Sequence, residues 1–460
     1  MLPDPRPAPA GLPWRHALMA LVVCLWVCAV LGGLFLDSLW AWSAGLLYVG
    51  YDTWLIGYVA WRTWDLRPAP PGLGPGPSLG VIVPARNEAA MLPACLDALL
   101  AQSAPAERIL LADDGSTDAS AALLERRYGL AAGPGLQESR LYPSLWLLRL
   151  PHGGKARALN AAWPRLDTEL VVTLDADTLL EPGALAALRR AFARDPRLAG
   201  AGGVLVPRCG RGINARLFEW FQEFEYLRAF LSRAAWSRAE ALLLVSGAFA
   251  AFRLDVLRRL EGFRDDSLVE DYELIHRLHR HSHDHGLGWR VGVVGGARAV
   301  TDAPGNLGSF LRQRRRWFAG FLQTQFANFD MAGNPRYGAV GRLMLPVKTV
   351  DTLQPLFGLA AFVLLLWFLA SGSPVAMPVL LVIGAKLLVD FAYHLWALHL
   401  YHRWLDLALP ARTWPRAVLA TLAEPFSFQL LRHAGACLGW FSHLTGRRDW
   451  SPRPLTGKPP

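Results

Sequence analysis

Five long apolar stretches, two ahead of a charged central region and three behind it, restrict the fold of this chain more than any other feature. Residues 17–36 contain no charged side chain, and residues 39–61 contain only Asp52. Apolar density returns over residues 349–370, 378–401 and 415–444. A hydrocarbon core of ~30 Å takes about 20 apolar residues in a helix, so the first four stretches are long enough to cross one. A secretory leader is the alternative for 17–36, but the run is long for one and lacks a small-residue cleavage site before the next apolar run. Residues 1–66 therefore read as two transmembrane helices in a hairpin. The fifth stretch carries Glu424, Pro425, Gln429 and Arg432, which predicts a channel-lining, re-entrant or interfacial segment, and keeping the positively charged tail inside favours one that does not fully cross. With 53% hydrophobic and 18% charged residues, the composition fits a membrane protein carrying a soluble domain.

The remaining boundaries follow from local composition. RPAPPGLGPGP, residues 67–77, is a Pro/Gly linker, and residues 78–304 read as the soluble domain. Residues 305–342 read as amphipathic interfacial helices, 343–444 as transmembrane or interfacial helices, and 445–460 as a basic tail. Arg6 and Arg15 before the first span, with Arg62 and Arg67 after the second, put the soluble domain on the inside. The net charge of +10 lies largely beside apolar segments, which points to anionic lipid rather than nucleic acid. Cys24, Cys28, Cys95, Cys209 and Cys437 show no metal-ligand spacing. The histidine tract at 279–286 reads as a solvated loop in preference to a metal site.

Within the soluble region, short β-rich runs alternate with helical stretches, the pattern of a doubly wound, mostly parallel α/β sheet. Three of these runs end in polar groups. Asp113 and Asp114 follow RILLA, Lys155 follows the glycines of PHGG, and Asp175 and Asp177 follow ELVVTL. Ligands bind at the carboxyl ends of parallel strands, so these groups converge on one crevice. Two adjacent carboxylates repel unless a cation shares them, and a divalent metal bridging to phosphate suits the pair. Of 47 basic residues only Lys155, Lys348, Lys386 and Lys458 are lysines, which singles out Lys155 as a phosphate contact where glycines let backbone approach. Glu270, Asp271 and Glu273 open a helix, where acids also simply suit the dipole. Gln313, Arg316 and Trp317 share one helical face at i, i+3 and i+4: an amide, a planar cation and an aromatic plate.

The ordered set VIVPARNE, ADDGSTD, GGKARALN, LDADT, SGAF, VEDYEL and QRRRW resembles the family 2 inverting glycosyltransferases, and among them the membrane polysaccharide synthases that make poly-N-acetylglucosamine, cellulose, chitin and hyaluronan. The resemblance implies a Rossmann-like, GT-A type nucleotide-sugar-binding domain inserted between transmembrane helices. It implies that Asp113 and Asp114 hold uridine, and that Asp175 and Asp177 hold the diphosphate and a Mg2+ or Mn2+ ion. Lys155, Gln313 and Arg316 would meet phosphate. Asp271 would be the general base, with Glu270 as the rival acid, and Ser246, Gly247 and Trp317 would take the acceptor sugar. Two departures, VED for the common Thr-Glu-Asp and His152 for a common Asn, bear on the sugar rather than on the reaction.

The implied activity is β-transfer of a hexose or N-acetylhexosamine from a UDP-sugar to a growing polysaccharide, with secretion of the product. The implied location is a bacterial inner (plasma) membrane with the catalytic domain in the cytosol, lipids as neighbours and room for a small accessory membrane subunit. Two rivals remain: single transfer to a lipid acceptor, as in enzymes of the ceramide-glucosyltransferase type, and a membrane scaffold or exporter with a degenerate transferase domain. Asp52, Lys386, Asp390, Glu424 and Arg432 inside the apolar stretches favour a polymer path.

Overall fold

The computed structural model describes residues 13–36, 38–70, 76–131, 133 and 135–446. Arg6, the middle of the linker (71–75) and the tail from 447 lie outside the described residues. Helices α1 (Pro13–Phe35) and α2 (Ser43–Thr63) lead into β1 (Leu79–Ala85), α3 (Leu92–Leu100), β2 (Arg108–Asp114) and α4 (Ser120–Tyr128). There follow β3 (Gly135–Glu138), β4 (Leu145–Leu150), α5 (Lys155–Ala162), β5 (Leu170–Leu174), β6 (Thr178–Leu180), α6 (Ala184–Arg194) and β7 (Leu198–Arg208). The long α7 (Ile213–Arg238) precedes β8 (Phe249–Arg253), α8 (Leu254–Arg259), α9 (Glu270–Asp284), β9 (Arg290–Asp302) and α10 (Leu307–Ala327). The chain ends in α11 (Leu345–Ala370), α12 (Ala376–Trp404), α13 (Thr413–Ala423) and α14 (Phe428–Leu444).

One nine-stranded sheet runs in the order β3-β4-β2-β1-β5-β8-β7-β9-β6. Its β4-β2-β1-β5 portion is parallel, with Val81 level with Ile109 on one side and Val172 on the other. These strands are covered on both faces, which is why VIV, ILL and LVV read as unbroken apolar runs. Their common direction brings the ends of β2, β4 and β5 to one edge. The other half is mixed: β8 runs antiparallel to both β5 and β7, β6 antiparallel to β9, and β7 parallel to β9. The expected mostly parallel sheet thus holds for half of the structure. The exception has a local cause, because β8 enters at the edge where β5 ends, pairing Phe249 with Leu174. The turn before it therefore lies beside Asp175, whose N–H donates to the Ala248 carbonyl at 3.1 Å.

The flanking helices pack on this domain and on one another. Trp42 donates to the Ala361 carbonyl at 2.8 Å and Trp440 to that of Thr352 at 2.7 Å, tying the N-terminal segment and α14 to α11. Among the described residues, two helical stretches are long and apolar enough to cross a membrane, Val340–Ala370 and Ala376–Trp404. The fifth apolar stretch is broken at Glu424–Phe426, around Pro425, and α14 beyond the break packs on α10. The charges within these helices are paired: Lys386 with Asp52 at 2.7 Å and with Asp390, and Glu424 with Arg228 and with Arg432 at 3.2 Å. Pairing accounts for their presence without a polymer path. The histidine tract also differs from expectation: it forms the last turns of α9, with His279 buried and its ring 2.9 Å from the Leu242 carbonyl.

Gly203 in β7 faces Phe249 so closely that a Cβ there would fall 2.1 Å from the Phe249 ring and 2.7 Å from the Ala297 carbonyl. Gly203→Ala should therefore destabilise the domain by about 1–3 kcal/mol. A lowered thermal midpoint of the purified protein would show it, and an unchanged midpoint would contradict this packing.

Candidate active site

The two carboxylates that end β2 are buried and hold loops. Asp113 accepts the Ser116 N–H at 3.0 Å, closing the turn that follows the strand. Asp114 accepts the N–H groups of Gly153 at 2.7 Å and Gly154 at 3.0 Å and meets His152 Nδ1 at 2.8 Å. It therefore pins the glycine loop ahead of α5. Gly154 sits at φ +95°, a conformation that side chains with a Cβ rarely adopt, and it turns the chain so that Lys155 starts the helix.

A lysine in the first turn opposes the helix dipole and must find anions elsewhere. Its Nζ lies 2.6 Å from Asp175 and 3.2 Å from Glu270, with the Gly247 carbonyl at 3.4 Å. Burial works against its charge, but Asp175 and Glu270 outweigh burial and raise the ammonium above its ordinary pKa. The two acids at the start of α9 then divide. Burial acts to raise Glu270, yet Lys155 and Arg316 hold it below the ordinary carboxylate range. Asp271 is raised, first by burial and then by the neighbouring charge of Glu270. Its Oδ2 accepts the Gly247 N–H at 2.6 Å and its Oδ1 that of Tyr272 at 2.8 Å. A Cβ at Gly247 would come within 3.1 Å of Oδ2, so that approach favours glycine.

These groups line a cavity of about 170 Å³. Lys155, Asp175, Ser246, Gly247, Asp271, Gln313, Arg316 and Trp317 all face it, together with Glu270. Asp113, Asp114 and Asp177 do not line it. Asp177 stands in the turn after β5, where its carboxylate accepts from the Thr178 hydroxyl at 3.3 Å. Among the described residues the buried Gln313 side-chain oxygen has no hydrogen-bond partner, an unfavourable state that a ligand donor would relieve. Arg314, between the motif residues, makes two 2.8 Å bonds to Glu225 and lies 4.6 Å from the Trp317 ring centre, which holds that ring in place.

One wall was missed by sequence reasoning. Helix α7 supplies Glu225, Tyr226, Ala229, Phe230 and Arg233. Their helical spacing in EYLRAFLSR, with two charges on an otherwise aromatic face, was the available signal. Among the described residues no group of three or more His, Cys, Asp or Glu side chains is gathered to cage an ion. Asp175 and Asp177, one residue apart, supply the two carboxylates that Mg2+ or Mn2+ commonly takes when phosphate oxygens and water complete its coordination.

The model of the glycosyl transferase family group 2 matches residues 170–407, from β5 through α12. Hyaluronan synthase of Streptococcus pyogenes is 28% identical over 260 residues, covering 53% of this chain and 57% of that protein. An N-acetylglucosaminyltransferase of Rhizobium sp. (strain N33) is 29% identical over 336 residues, covering 68% of this chain and 67% of the relative. The chain thus spans little more than half the length of the curated hyaluronan synthases it matches. In fold it is similar to the mannosyltransferase PcManGT from Pyrobaculum calidifontis, solved with GDP-Man and Mn2+, with a TM-score of 0.57, 23% identity, and coverage of 93% of this chain and 99% of that one.

Asp114→Ala should leave the Gly153 and Gly154 N–H groups without their acceptor, at a cost of about 1–3 kcal/mol. Thermal unfolding should report the loss and limited proteolysis the loosened loop; an unchanged melt and cleavage pattern would contradict the pinning role.

Proposed function

The chain belongs to the glycosyl transferase family group 2, and from that membership we propose that it moves a hexose or N-acetylhexosamine from a UDP-sugar to a growing polysaccharide with inversion at the anomeric carbon. The observation that carries this reading is the single cavity in which a low-pKa acid bound to lysine, Glu270, adjoins a raised-pKa acid, Asp271, beside Arg316 and Trp317. Environments that push neighbouring acids apart assign them different work. Glu270 stays ionised as the counter-charge of Lys155, and Asp271 has the proton affinity of a base.

In the proposed reaction, Asp271 takes the proton of the acceptor hydroxyl as that oxygen bonds to the anomeric carbon. The bond from that carbon to the diphosphate breaks, and UDP carries away the electron pair. Lys155 and Arg316 stabilise the charge that develops on the leaving group. Asp175 and Asp177 would hold a Mg2+ or Mn2+ ion, which when bound neutralises diphosphate charge. Asp113 and Asp114 would border the uridine, Ser246 and Gly247 the acceptor end. Trp317 would stack on the acceptor ring, and the unpaired Gln313 oxygen would accept a ligand hydroxyl.

The proposed setting is a bacterial plasma membrane with the sheet domain in the cytosol, product secretion, and a small accessory subunit as a further partner. Two spanning-length helices and exposed apolar side chains such as Leu381 and Leu388 on α12 support the membrane part. A second reading, single transfer to a lipid, is favoured by an apolar cavity of about 60 Å³ between α10, α11 and α14, lined by Leu322, Phe326, Leu345, Leu353 and Trp440.

Purified full-length protein assayed with radiolabelled UDP- and GDP-sugars should release nucleoside diphosphate and form polymer; transfer only to added lipid would select the second reading, and no transfer from any donor would overturn both. Because a base works deprotonated, activity should rise with pH through an Asp271 pKa raised above the ordinary ~4. Asp271→Asn should retain UDP binding and lose about 10²- to 10⁴-fold in kcat. If Glu270→Gln behaves that way while Asp271→Asn turns over normally, the base is Glu270. Trp317→Ala should bind UDP and elongate poorly, and normal elongation would remove it from the acceptor site.

A further inference from the structure

The α7 wall of the cavity carries a charge that the proposed reaction leaves unused. Arg233 is half-buried and lines the same space as Asp271 and Trp317. Among the described residues it makes no ion pair and no side-chain hydrogen bond; its guanidinium lies over the Phe230 ring, 4.5 Å from the centre. The acids nearest to it are engaged elsewhere. Glu225 makes its two bonds to Arg314 and lies 3.7 Å from Arg432, and Asp271 accepts two backbone N–H groups. Burial lowers the guanidinium below its ordinary pKa, and Tyr226, Asp271 and Glu225 oppose that lowering without cancelling it. A cation here is short of negative charge.

The cations of the cavity differ in their partners. Lys155 is paired with Asp175 and Glu270, at 2.6 and 3.2 Å, although its charge also reaches Asp271. Arg233 has no such pair among the described residues and lines the cavity together with Asp271 and Trp317, where the acceptor would lie. A planar guanidinium without a partner matches a carboxylate or phosphate through paired hydrogen bonds.

We propose that Arg233 forms a subsite for an oxyanion carried by the acceptor, next to the hydroxyl that Asp271 deprotonates. This rests on the glycosyl-transfer reading and deepens it: the acceptor is acidic, through a sugar carboxylate or a sugar phosphate. The rival role for Arg233 is a fixed counter-charge for Asp271, which would affect charged and neutral acceptors alike.

The test is equilibrium binding of three fluorescently tagged trisaccharides to the full-length protein without donor. The trisaccharides differ only in the residue beside the accepting sugar: glucose, glucuronate or glucose 6-phosphate. Wild type should bind one charged trisaccharide about 10- to 100-fold more tightly than the neutral one, the range expected of a charge-assisted contact. The preferred ligand identifies the source of the anion. Arg233→Gln should bring the ratio of charged to neutral affinity close to one, and Arg233→Lys should restore part of it. Equal binding of all three by wild type, or an equal loss for all three in Arg233→Gln, would overturn the subsite. Failure of wild type to transfer from any nucleotide-sugar would instead count against the glycosyl-transfer reading, because the binding ratio needs no turnover.

Discussion

Lys155 opens a helix at an end whose dipole is already positive, so its ammonium is stable there only with anions close by. Asp175 from the end of β5 and Glu270 from the start of α9 supply them, at 2.6 and 3.2 Å. The one cation thereby joins α5 to the end of β5 and to the distant start of α9. It also fixes the state of the next residue, since an ionised Glu270 is part of what raises Asp271. Without the lysine, two adjacent buried acids would compete for one proton.

A second set of pairs supports this centre from outside. Asp114 holds the glycine loop that delivers Lys155, and the Glu225–Arg314 pair holds the helix that delivers Arg316 and Trp317. Paired charges fix orientation here; they are weak evidence for net stability, because desolvation offsets much of their attraction. The broken α13–α14 segment joins the same network through Glu424, Arg228 and Arg432. Its polar residues thus tie the helices that line the cavity to the apolar ones.

Much of the site was legible because its residues carry local signals. Asp175 closes an apolar strand, Lys155 is a rare lysine behind two glycines, and Gln313, Arg316 and Trp317 repeat at helical spacing, whereas Asp113, Asp114 and Asp177, marked by the same strand-end signal, stand outside the cavity. The parallel half of the sheet was legible for the same reason: strands buried on both faces are continuous apolar runs. The antiparallel entry of β8 was not, since its five residues read the same in either direction and only the pairing of Phe249 with Leu174 shows that it enters where β5 ends. Tertiary partners were equally hidden. The i, i+4 spacing of Lys386 and Asp390 suggests their pair, but no local pattern tells that Lys386 also meets Asp52 across helices, or that Glu225 takes Arg314 while Arg233 has no ion pair among the described residues. The histidine tract misled by composition, because its polar letters hide a buried helical face.

Sugar transfer is assigned to the cavity between β5, α7, α9 and α10. A structure of the full-length protein with a non-hydrolysable UDP-sugar analogue and Mn2+ tests it most directly. The diphosphate should lie within hydrogen-bond reach of Lys155 and Arg316, the ion on Asp175 and Asp177, and Asp271 should face the anomeric carbon from the side opposite the leaving group. A nucleotide bound away from these side chains, with Lys155 still closed on Asp175 and Glu270, would contradict it.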